Sequence, residues 1–149
     1  MGSADKNSEN VFILGITSDI GKALAEQYKR NGFQVIGTCR NVESGKEFES
    51  QTGIPVIPCD VGSKHSVQGL LNAYLKHSFS WDIFISAVGT MEPAGDFFFV
   101  DFDGWEQAVR VNSTAQLRVL HALYPYRRKE KVSHVAFFAG AKRGWGGYF

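Results

Sequence analysis

Five short, nearly continuous apolar runs recur along this chain, each separated from the next by an amphipathic stretch of helical period. The runs are VFILGI (11–16), FQVIGT (33–38), IPVIP (54–58), WDIFISAV (81–88) and SHVAFFA (133–139). A strand that is apolar on both faces must be covered on both faces, the situation of a parallel sheet with crossover helices on each side. The segments between them predict helices at 20–31, 42–51, 64–77 and 103–127. With right-handed crossovers, five such strands assemble in the spatial order 3-2-1-4-5, an α/β doubly wound sheet.

Helix signals agree with this division. Asp60 and Ser63 are placed to cap the third helix and Asp103 the fourth, while Asn31-Gly32 closes the first with residues that tolerate positive φ. No internal repeat or low-complexity linker marks a second unit, so residues 11–149 are expected to form one domain. The polar start MGSADKNSEN leaves residues 1–10 as a flexible tail unlike the apolar core of a signal peptide.

With 16 Lys+Arg against 15 Asp+Glu, the net charge is +1. This balance carries no electrostatic footprint for nucleic acid or an anionic membrane, and points to a small-molecule partner. No run reaches the roughly 18 apolar residues of a membrane span. Cys39 and Cys59 each end an apolar run, form neither a CxxC pair nor a disulfide framework, and read as buried thiols. A cytoplasmic protein is expected.

The most informative segment is Gly15-Ile16-Thr17-Ser18-Asp19-Ile20-Gly21, which leaves the first strand and opens the first helix. Gly15 allows a sharp strand exit, Gly21 allows close approach of helix and strand, and the helix N-terminus offers N–H groups and a positive dipole end to a pyrophosphate. The pair Gly21-Lys22 fails as a Walker A loop. Five residues, Ile16 to Ile20, separate the glycines where four are needed, and Ala23 follows the lysine where Ser or Thr is needed.

Here the chain resembles the short-chain dehydrogenase/reductase family, whose opening TGxxxGxG aligns with residues 14–21. Leu14 replaces the threonine and Asp19 the middle glycine. Asp60-Val61 after the third strand resembles the family's adenine-contacting Asp-Val pair. Ser86-Ala87-Val88-Gly89 resembles its Asn-Asn-Ala-Gly motif, and Asn112 in VRVNSTAQ resembles the helix asparagine that holds a proton-relay water. The resemblance implies a Rossmann-like fold. It implies cofactor contacts from Gly15, Thr17, Ser18, Asp19, Ile20, Gly21, Asp60, Val61, Ser86, Ala87, Val88 and Gly89, with Asn112 in the catalytic machinery.

The second strand ends Thr38-Cys39-Arg40, with no Asp or Glu to take a ribose 2′-hydroxyl. Arg40 can pair a 2′-phosphate through its planar fork, so NADP is favoured over NAD. The family's catalytic serine would fall at Ala139 or Gly140, neither of which carries a hydroxyl, and no lysine follows Tyr148 to lower its phenolic pKa. The expectation is therefore an NADP(H)-dependent oxidoreductase acting on a small carbonyl or alcohol. Its Tyr-Lys pair is expected beyond Phe149, the sheet is C-terminally incomplete, the chain alone is inactive, and the full polypeptide is a homo-oligomer. A non-catalytic dinucleotide-binding sensor or scaffold is the alternative.

Overall fold

The computed structural model describes residues 9–138. Five parallel strands, β1 (Asn10–Leu14), β2 (Gln34–Cys39), β3 (Val56–Pro58), β4 (Ile83–Ser86) and β5 (His134–Phe137), form one sheet in the order β3-β2-β1-β4-β5. Helices α1 (Asp19–Arg30) and α2 (Val42–Thr52) cross over on one side of the sheet. On the other lie α3 (Lys64–Tyr74), α4 (Phe102–Asn112) and α5 (Thr114–Leu123).

Alternation along the strands divides the core in two. Phe12 and Leu14 of β1 join Ile36, Ile57 and Phe84 against Val67 and Leu70 of α3 and Val119 and Leu123 of α5. Val11 and Ile13 face the other way and pack with Val35 and Ile85 against Ala25 of α1 and Phe48 of α2. The nearly unbroken apolar runs are thus the mark of strands buried on both faces. Trp81 anchors the α5 layer, its indole N–H donating to the Leu123 carbonyl at 2.8 Å.

Several boundaries differ from the sequence expectation, each for a local reason. β1 begins at Asn10, assigned above to the tail, because the Asn10 N–H donates to the buried Asp82 carboxylate at 2.7 Å. That carboxylate also pairs with Arg128 at 3.0 Å. Ser63 caps α3 by accepting from the Ser66 N–H, whereas Asp60 turns back to accept from the Gly62 N–H at 2.9 Å. Asp103 lies inside the first turn of α4, and Asp101 occupies the cap position.

The single helix expected over 103–127 is broken at Ser113, whose φ of −136° and ψ of −95° leave the helical region. Its hydroxyl donates to the Val109 carbonyl at 2.6 Å, a back-bond that bends helices, within an Asn-Ser-Thr run of weak helix formers. β5 forms the sheet's edge among the described residues, and its Val135 and Phe137, with Phe138 beyond it, are exposed.

Candidate functional site

The chain reverses its winding between β1 and β4, and a ligand crevice in an open α/β sheet forms outside the carboxyl ends of the strands at such a switch point. A groove of about 460 Å³ lies there. Its walls come from the ends of four strands: Gly15, Thr17 and Ser18 after β1, Thr38 to Arg40 at β2, Cys59 to Val61 after β3, and Ala87 to Thr90 after β4. Gly104, Gln107, Ala108 and Val111 of α4 close the remaining side.

The first turn is shaped by its two glycines. Gly15 has φ +82°, and a Cβ there would fall 2.9 Å from Val88 Cγ2. At Gly21 a Cβ would stand 2.2 Å from the Gly15 carbonyl oxygen, so helix and strand meet at backbone distance. Ser18 caps α1: its hydroxyl donates to the Gly15 carbonyl at 2.9 Å and accepts from the Gly21 N–H at 3.0 Å. The positive end of the α1 dipole is thereby held at the groove mouth.

The expected site residues divide into two sets. Gly15, Thr17, Ser18, Arg40, Asp60, Val61, Ala87, Val88 and Gly89 line the groove together. Gly21 is buried beneath its floor, while Asp19 and Ile20 are exposed on the first turn of α1. Ser86 is fully buried and donates to Gln116 Oε1. Asn112 spends its amide on the backbone of Thr90, accepting from the Thr90 N–H at 2.8 Å and donating to the Thr90 carbonyl at 2.9 Å.

Ala139, Gly140 and Tyr148 lie outside the described residues.

Sequence reasoning passed over Thr38, whose buried hydroxyl accepts from the Gly15 N–H at 3.2 Å and ties β2 to the turn. It also passed over Gln107 and Gln116. The available signal was an amide four residues beyond Asn112, a polar side chain on an otherwise apolar helix face.

The groove's thiols are poor nucleophiles. Burial raises Cys39 above its usual value, and burial, helped by the nearby Asp60 carboxylate, pushes Cys59 up to about 11. Both are protonated near neutrality, and the thiolate is the reactive form. No group of three or more His, Cys, Asp or Glu side chains able to hold a metal ion occurs among the described residues. The groove instead brings together a helix N-terminus, a glycine turn that a Cβ would obstruct, and an arginine at the β2 end.

The family model described as enoyl-(acyl carrier protein) reductase matches residues 15–148. The chain belongs to the short-chain dehydrogenase/reductase family. Among curated members of known sequence, it is 27% identical over 133 residues to an uncharacterized oxidoreductase of Staphylococcus epidermidis, covering 87% of this chain and 57% of that protein. It is 24% identical over 143 residues to the NADPH-dependent pterin aldehyde reductase of Arabidopsis thaliana, covering 93% and 58%.

The RhlG/NADP active-site complex of Pseudomonas aeruginosa superposes with a TM-score of 0.77 at 20% identity, covering 94% of this chain and 58% of that one. This short-chain dehydrogenase/reductase chain therefore spans a little over half the length of the curated relatives it matches. Among its described residues, no helix is long and apolar enough to cross a membrane.

Proposed function

We propose that the groove binds NADP(H) and that the chain is the dinucleotide-binding portion of an oxidoreductase acting on a small carbonyl or alcohol. The observation that supports this reading is the position of Arg40 in the groove. Arg40 lines it where β2 stops, and no carboxylate accompanies it on that strand. A ribose 2′-phosphate there meets a planar guanidinium rather than a like charge.

Gly15, Thr17, Ser18 and the first turn of α1, including Asp19 and Ile20, receive the pyrophosphate. Gly21 lets that turn sit against β1. Asp60 and Val61 border the adenine, and Ser86 to Gly89 support the nicotinamide ribose. Asn112 suspends Thr90 beside the same end, and the second lone pair of its Oδ1 is the acceptor a relay water would use. The bound nicotinamide supplies or accepts the hydride. Among the described residues neither tyrosine nor lysine lines the groove, and Tyr148 lies outside them. A reducing, cytoplasmic setting suits the two free thiols, Cys39 and Cys59.

Fluorescence titration with NADPH and NADH tests the reading. The 149-residue chain is expected to bind NADPH about tenfold more tightly or better, with Arg40→Ala removing most of the difference, since charge-assisted hydrogen bonds are worth about 1.5–3 kcal/mol. Equal affinities in the unmutated chain overturn the NADP assignment.

A further inference from the structure

Gln116, in the first turn of α5, is nearly fully buried and makes three hydrogen bonds, one to a side-chain hydroxyl and two to backbone carbonyls, that join the loop after β4 to the end of α4. Its Oε1 accepts from Ser86 Oγ at 2.5 Å, and its Nε2 donates to the carbonyls of Val88 and Val111, each at 3.0 Å. Two carbonyls facing one end of the amide require the NH2 group there, so the network itself orients the side chain. Both hydrogens and the oxygen are thereby used.

Four residues earlier, Asn112 clasps Thr90 in the same manner. The two amides flank the helix break at Ser113, and between them they hold Ser86, Val88 and Thr90. Val88 is the sensitive point. Its carbonyl hangs from Gln116, while its Cγ2 packs so closely over the glycine turn that even a methyl group at Gly15 would collide with it. Val88 and the turn that opens α1 thus leave no room between them for a further methyl group.

We propose that Gln116 is a positioning residue of the dinucleotide site, locking the 86–90 loop to the α4–α5 break so that Val88, Gly89 and Thr90 keep one register against Gly15. This rests on the reading of the groove given above. Gln116→Glu has nearly the same shape but removes both donors. Above its pKa it sets a carboxylate against two carbonyls, a contact that, with burial, raises that pKa. Below it, the protonated acid regains one donor.

In the 149-residue chain, calorimetric titration with NADP+ is expected to show Gln116→Glu about tenfold weaker near pH 8, recovering to within a few-fold near pH 6, as loss of buried hydrogen bonds implies. Gln116→Leu should be weak at both pH values. Ser86→Ala, which removes one bond and little volume, should lose less and serves if the leucine variant does not fold.

Amide hydrogen exchange at Gly89 and Thr90 is read in parallel and should quicken in each variant near pH 8. Unchanged NADP+ affinity together with unchanged exchange at these amides overturns the proposal. If the unmutated chain binds neither NADP+ nor NAD+, the dinucleotide reading fails by itself. Exchange at Gly89 and Thr90 then decides the positioning role, faster exchange supporting it and unchanged exchange overturning it.

Discussion

Cys59 shows how little a residue's identity says until its surroundings are known. Its thiol borders the groove, yet desolvation lifts it to about 11 from the usual 9. The folded state thus prefers the protonated thiol, and this preference stabilises the fold fully below the unfolded pKa. As pH rises from about 9 through about 11 the contribution is lost, so the urea midpoint of the native chain should fall over that range more than that of Cys59→Ala. Near pH 7.5, Ellman's reagent should titrate Cys59 only after unfolding; rapid reaction in the native state would contradict the burial argument. At this scale the sequence was legible where backbone geometry sets the residue, as at Gly15 and Gly21. It was opaque where a side chain's role depends on a distant partner. Asp82, which meets both Asn10 and Arg128, and Gln116, which reaches Ser86 across thirty positions, give no local sign of their contacts.

Among the elements, strands and crossover helices could be read from periodicity because burial on two faces writes itself into composition. Caps were less legible, since polar residues crowd the helix starts and at most one of them caps with its side chain; Asp101 at α4 and Ser113 at α5 make no such bond. Asn41 is a clear instance: it was not singled out beforehand, yet its Oδ1 accepts from the Ser44 N–H at 2.8 Å and opens α2. Asn41→Ala should cost about 1 kcal/mol of stability in urea unfolding, and an unchanged midpoint would mean that α2 is held by Phe48 and its packing alone. The break at Ser113 escaped the periodicity because the apolar spacing continues through it: half-buried Val111 before the kink is followed at four-residue steps by buried Ala115 and Val119, all packed on the same core. Hydrophobic pattern reports which face is inside and is silent on whether the axis bends.

At the scale of the whole molecule, two patches of exposed apolar surface among the described residues bear on assembly. An aromatic group at the start of α4 joins Phe97 and Phe98, 86% exposed, from the preceding loop to Phe102 and Trp105 of the first turn, with Phe102 and Trp105 stacked at 5.4 Å. The other is the edge strand β5, whose backbone groups and Val135 and Phe137 are uncovered among the described residues. Such edges pair with other chains. Light scattering on the 149-residue chain should give a mass above the 16.5 kDa of one copy, and Phe137→Lys should lower it; a clean monomer would show that the edge is covered. The order of the sheet also bears on how the chain reaches this state. β1 sits in the middle; the turn that leaves it bonds to Thr38 of β2 over 23 residues, whereas its own Asn10 bonds to Asp82 ahead of β4 over 72. At a synthesis rate of about 5–20 residues per second, the β1–β2–β3 half can pair for seconds before β4 emerges. Through that interval one flank of β1 stands open, with Phe12 and Leu14 short of the neighbours that β4 later brings, and the apolar surface of the nascent chain is exposed to unwanted association.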